Sequence, residues 1–169
     1  MKILALDLST KSSGWAIYNN DKLIEYGCIT ASSTDFIKRI QKIIGELDII
    51  LQKHKDITRV IAEEVRPEGT GYGVGNLHTH KTLMYLQAAV AFLLHEKYAA
   101  AAFEFIYPSS WRAKCGIKNG RGVRRETVKA NDIKFVKETF GLDVNDDIAD
   151  AIGIGYSEVS QNFSWGTGK

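Results

Sequence analysis

Residues 2–30 read KILALDLSTKSSGWAIYNNDKLIEYGCIT. The first six of them are a nearly continuous apolar run closed by an acid, Asp7, the pattern of a central strand buried on both faces. Residues 9–14 are turn-like, and residues 15–18 form a second strand. Asn19, Asn20 and Asp21 make a tight turn, and residues 22–30 return as a third strand. The chain therefore opens as an antiparallel meander whose first strand belongs in the middle of a sheet.

Beyond the meander the period changes. Ile37, Ile40, Ile43, Ile44, Leu47, Ile50 and Leu51 follow i, i+3, i+4, i+7 spacing and predict a helix over 35–54. Ser33, Thr34 and Asp35 offer its cap. Residues 59–65 read as a strand, again ending in acids, and 67–75 as a loop. A helix is expected over about 77–98, with Leu83, Leu86, Val90, Leu93 and Leu94 on one side. A fifth strand, 103–107, is stopped by Pro108, and a short helix starts at Ser109 or Ser110. Residues 125–140 and 146–160 are helical. The run 99–102 either extends the preceding helix or turns. The order predicts a mixed five-stranded sheet, antiparallel meander plus parallel strands, with helices on both faces: a three-layer α/β domain over 1–160 and a peripheral tail over 161–169.

Composition excludes several classes. With 169 residues the chain is long enough to bury a core without staples. Two cysteines, Cys28 and Cys115, exclude a disulfide scaffold and a four-cysteine zinc site. The amino-terminal run turns polar too soon for a signal peptide. Gln87 and Glu96 interrupt the longest apolar stretch, so no membrane partner and a cytoplasmic location are expected. The charge is uneven: residues 111–137 hold nine Lys/Arg against Glu126 and Asp132, a net +7 in a chain of net +2. Such a segment is either a solvated helix face or a contact surface for a polyanion.

The acids are placed oddly. Asp7 closes one apolar strand, and Glu63 and Glu64 lie near the end of another. Asp147 and Asp150 stand three apart at the start of an apolar helix and share one helix face. Asp146 beside them is explained by the helix dipole. Carboxylates gathered in a small volume raise one another's pKa unless cations sit between them. All-oxygen sites suit Mg²⁺ or Mn²⁺ rather than zinc. Two such ions about 4 Å apart can activate water and stabilise the leaving oxygen of a displacement at phosphorus. The polyanionic substrate then meets the basic segment.

Four stretches, ILALDLSTKSSGWAI (3–17), VIAEEVRPEG (60–69), FIYPSSWRAKCGI (105–117) and NDDIADAIGIGY (145–156), in this order, resemble the RuvC-like Holliday junction resolvases of the RNase H-like nuclease superfamily. The short length fits a phage-type member, acting in the host cytoplasm. The resemblance implies an RNase H-like fold and a Mg²⁺-dependent endonuclease that resolves four-way junctions and related branched DNA by paired nicks. It implies two Mg²⁺ held by Asp7, Glu63, Asp147 and Asp150, with Mn²⁺ as a substitute, and a 5′-phosphate product. Glu64 is the alternative to Glu63 by a one-residue slip to the opposite strand face. Lys118 or Arg121 matches the basic residue that the family places near the scissile phosphate. A two-fold junction implies a homodimer, and the helix over 77–98 is apolar enough to serve both core and interface.

Other signals are weaker. The alternating glycines of GTGYGVG (69–75) do not form a dinucleotide fingerprint. They suit either a plain linker or a loop presenting Tyr72 to a base, with Arg66 near a phosphate. His78 and His80 would diverge by about 200° on a helix and cannot share a metal from one face; with Lys81 they suit a phosphate. Arg124, Arg125 and Lys129 surround a helix start, where backbone N–H groups also favour phosphate. Cys28, Trp15 and Trp111 read as packing residues. Asp7-Leu8-Ser9-Thr10 also resembles the first strand of sugar-kinase-like ATPases, but those need a second lobe, so no nucleotide cofactor is expected. A non-catalytic branched-DNA-binding protein and an RNase H-type hydrolase of hybrids are the remaining rivals.

Overall fold

The computed structural model describes residues 1–65, 74–118 and 123–160. The elements run β1 (Lys2–Asp7), β2 (Ser12–Asn19), β3 (Lys22–Thr30), α1 (Phe36–Lys53), β4 (Ile57–Glu63), α2 (Val74–Lys97), β5 (Ala102–Ile106), α3 (Pro108–Lys114), α4 (Arg125–Phe140) and α5 (Asp146–Val159). The five strands form one sheet in the order β3-β2-β1-β4-β5. β1 pairs antiparallel with β2 and parallel with β4, so the meander and the parallel half meet at β1.

Side-chain alternation sorts the core into two layers. Leu4, Leu6, Ile17, Val60 and Ala62 face α1 and α2. Ile3, Ala5, Ala16, Tyr18 and Ile61 face α3, α4 and α5. The two-residue period carries this parity onward, so Asp7 falls on the α5 side after Ile3 and Ala5, and Glu63 follows Ile61 there. Glu64, one residue past β4, would have the opposite parity; its backbone N–H bonds Ile106 O.

Helix α5 lies close on the sheet because glycines permit it. A Cβ on Gly155 would come within 2.4 Å of the Tyr18 ring, and one on Gly153 within 2.5 Å of the Trp111 ring. Tyr18 Oη donates to Ile152 O at 2.9 Å and fixes the approach. At the helix start Asn145 caps Ile148 N, and Gly14, opposite Asp7 in the β1–β2 ladder, meets the Asp147 carbonyl.

Several boundaries differ from the sequence reading. β2 begins at Ser12, because the polar Ser12-Ser13-Gly14 pairs with residues 28–30 of β3 instead of turning. β4 spans Ile57–Glu63, two residues earlier than expected, and β5 begins at Ala102. α2 starts at Val74, so Gly75 belongs to a helix rather than a loop. α3 starts at Pro108, whose fixed φ suits the first helical position. The run 99–102 turns into β5, with Ala101 N bonded to Tyr98 O. The tail 161–169, like the loop glycines 69, 71 and 73, lies outside the described residues. No helix among the described residues is long and apolar enough to cross a membrane.

Candidate active site

β1 and β4 are parallel neighbours in register, Leu6 opposite Ala62, so their carboxyl ends bring Asp7 and Glu63 side by side. The first turns of α5 carry Asp147 and Asp150 to the same end of the sheet. Burial and carboxylate repulsion then act together. Burial first, then the charges of Glu63 and Asp147, push Asp7 up to about 8. Burial and the charges of Asp7, Asp132 and Glu63 push Asp150 up to about 9. Glu63 is raised by burial, partly countered by its bond from Trp111.

Three of the four acids are each held by a different neighbour. Glu63 accepts from Trp111 Nε1 at 2.7 Å. Asp147 accepts from the Ser12 hydroxyl. Asp150 Oδ2 accepts from Arg112 Nη2 at 3.2 Å. Asp150 is 8% exposed, and its other oxygen, Oδ1, has no partner. Among the described residues no three His, Cys, Asp or Glu side chains are drawn together tightly enough to hold an ion. What suits a divalent cation is the donor set: hard carboxylate oxygens, those of Asp7, Glu63 and Asp150 raised chiefly by burial, with Asp150 Oδ1 buried and unpartnered. Asp7, Glu63, Asp147 and Asp150 are the groups that would hold it.

Raised acids set a pH dependence. Asp7 and Asp150 bind protons more tightly in the folded chain than in the unfolded one, so folding is progressively penalised as they ionise. With a chelator present, the contribution of these two acids to stability should fall from about pH 4 to about pH 9 and level off above. Asp150→Asn should flatten this slope. At pH 8 it should raise Tm by about 3 °C, the shift that about 1 kcal/mol gives in a domain of this size. Calorimetry in a chelating buffer checks both. A wild-type Tm that climbs across that window would contradict the assignment.

Of the expected DNA contacts, Arg124 is the N-cap of α4 and Arg125 its first residue, both exposed. Arg125 is near enough to lower the pKa of Glu63. Lys129, read as a phosphate contact, is committed to Asp146 instead; the pair lowers Asp146 and raises Lys129. That ion pair also supplements the dipole account of Asp146. His78 and Lys81 are exposed on α2, whereas His80 is half-buried, as two positions two apart on a helix should be. Lys118 is exposed after α3, its carbonyl accepting from Asn131 Nδ2. Arg66, Tyr72 and Arg121 lie outside the described residues.

Four residues of the site are invisible to sequence reasoning, Ser12, whose hydroxyl holds Asp147, among them. Trp111 is a packing residue, fully buried, but its indole N–H also fixes Glu63. Arg112 was counted only within a basic surface segment, yet it is 9% exposed and touches Asp132 and Asp150. Asp132 was counted only as a break in that segment and is fully buried. Cys28 is half-buried rather than core, its sulfur 3.1 Å from the Ser12 hydroxyl that holds Asp147.

A mixed sheet of this order with helices on both faces is the α/β fold that solved RuvC structures share with this chain. No family model matches the sequence, and no curated protein matches it. Solved structures do match. RuvC from Thermus thermophilus in complex with Holliday junction substrate superposes with a TM-score of 0.73 at 14% identity, over 97% of this chain and 97% of that one. Another Thermus thermophilus RuvC structure gives 0.67 at 15% identity, over 93% and 92%. The yeast mitochondrial Holliday junction resolvase gives 0.59 at 14% identity, over 95% of this chain and 80% of that one. At such identities the likeness establishes a common fold.

Proposed function

We propose that the chain is a divalent-cation-dependent endonuclease that resolves four-way DNA junctions and related branched DNA by paired nicks. The observation that carries this reading is the placement of Asp7 and Glu63 at the carboxyl ends of the paired strands β1 and β4 and of Asp147 and Asp150 on the first turns of α5, with Asp150 Oδ1 buried and unpartnered. The near end-to-end likeness to a RuvC bound to a junction supports the choice of substrate. Mg²⁺ or Mn²⁺ bound there would supply Lewis acidity at the scissile phosphate and an activated water. The chain's own groups do the rest. Trp111 orients Glu63, Ser12 orients Asp147, and the start of α4 offers Arg124, Arg125 and free backbone N–H groups to the DNA backbone.

The deciding experiment is a nicking assay across junction, fork, linear duplex and RNA–DNA hybrid, with Mg²⁺, Mn²⁺ or chelator. Junction cleavage dominating, and only with metal, is the expected result. Hybrid cleavage dominating would assign an RNase H-type hydrolase. Metal-independent binding with no cleavage of any substrate would assign a DNA-binding protein.

If Arg124 and Arg125 face phosphates, replacing both by Gln should weaken junction binding and reduce the slope of log K against log salt by about 1 for each. An unchanged slope would move the DNA path elsewhere.

The same reading includes a homodimer, matched to the two-fold symmetry of a junction. Leu77, Met84, Tyr85 and Phe92 of α2 are all more than half exposed, at spacings of seven and eight that line one helix face. Light scattering should give twice the chain mass, and Phe92→Glu with Met84→Glu should return the monomer.

A further inference from the structure

Arg112 leaves α3 and places its guanidinium between β4, α4 and α5, against three acids. Nε and Nη2 both stand 2.9 Å from Asp132 Oδ2, and Nε is also 3.2 Å from Oδ1. Nη2 reaches Asp150 Oδ2 at 3.2 Å, and Nη1 lies 3.9 Å from Glu63 Oε2. The guanidinium carbon sits 4.2 Å from the centroid of the Trp111 ring. Asp132 itself is 0% exposed.

A buried ion pair adds little to stability over apolar side chains of the same volume, because desolvation offsets the attraction. This pair therefore has no evident structural advantage where it stands, yet it touches two of the carboxylates proposed to bind metal. Arginine presents a planar fork that prefers two-point contact with a carboxylate. Here Nε donates to both oxygens of Asp132 and Nη2 lies 2.9 Å from its Oδ2, while the hydrogen bond that Nη2 donates goes to Asp150 Oδ2 as a single, longer contact. Without Asp132, the nearest acceptor able to take the fork is Asp150.

We propose that Asp132 is a positioning residue: it holds Arg112 back from Asp150 and Glu63 and so keeps both free to receive a divalent cation. The inference rests on the metal-dependent reading above. Groups that orient ligating carboxylates typically change metal affinity by tenfold or more when removed.

The test is a double-mutant cycle read as Mn²⁺ binding to the DNA-free protein by titration calorimetry, with circular dichroism to establish folding. Asp132→Asn should weaken Mn²⁺ binding about tenfold, since Arg112 then pairs fully with Asp150. In an Arg112→Gln background the same change should cost less than about twofold, because no guanidinium remains to be restrained. An equal loss in both backgrounds would mean that Asp132 acts only through its field, and would overturn the proposal. So would a folded Asp132→Asn protein with unchanged Mn²⁺ affinity. If Asp132→Asn does not fold, Arg112→Lys carries the test. It keeps both charges but lacks the fork, so Mn²⁺ binding should weaken several-fold, and wild-type affinity would overturn the proposal. Wild-type Mn²⁺ binding without junction cleavage would overturn the nuclease reading and leave this one in place. A wild-type protein that binds no Mn²⁺ would overturn both.

Discussion

Asp7→Asn, Glu63→Gln and Asp150→Asn should each abolish junction cleavage while leaving junction binding within about threefold of wild type. The first half follows from the donor set. Each substitution removes one anionic oxygen pair from a site whose proposed chemistry depends on concentrated negative charge. A bound ion contributes several kcal/mol at the transition state, so a loss of roughly 10²–10³ in rate is the least expected for each. The second half follows from where affinity comes from. Backbone neutralisation by Lys and Arg supplies most of the binding, and these acids lie away from it or oppose it. Gel-shift and single-turnover assays on one synthetic junction separate the two effects. Turnover retained in any of the three variants would show that the acid is not part of the reacting site. Glu64→Gln should cleave normally, because its strand parity turns it from the other acids.

Gly14→Ala should have the next largest effect, though the residue carries no chemistry. Its added Cβ would lie 1.8 Å from the Asp147 carbonyl oxygen and 3.1 Å from Ile148 N. Both are backbone atoms, so relief requires lifting the start of α5 off β2. Overpacking of this kind costs about 3 kcal/mol, or a Tm lower by about 6–12 °C at this chain length. It should also move Asp147 and Asp150 relative to Asp7 and Glu63, and a displacement of about 1 Å can cost a hundredfold in rate. Calorimetry and the cleavage assay should fall together. Loss of neither would mean that α5 approaches the sheet less closely than described.

Much of this architecture was legible from spacing. The apolar runs of β1 and β4, each closed by an acid, marked both as buried strands with Asp7 and Glu63 at their ends, because such a run is a local property of the chain. The i, i+3 spacing of Asp147 and Asp150 was equally local. Ser12, Trp111, Arg112 and Asp132 were not legible, and for one reason. Their roles are set by partners far along the chain: 135 residues for Ser12 and Asp147, and 48 for Trp111 and Glu63. An arginine among lysines reads as a solvated charge until the fold buries it, and a serine beside a glycine reads as a turn until a neighbouring strand pairs with it. The pairing of Lys129 with Asp146 was equally hidden, since nothing local announces it.

The sheet order has a consequence for biosynthesis. The first acid emerges with β1, yet its companions on α5 are translated only after every strand has been made. A nascent chain that has made every strand still lacks Asp147 and Asp150. Fragments ending before α5 lack two of the four acids of the proposed site and should therefore not cut DNA.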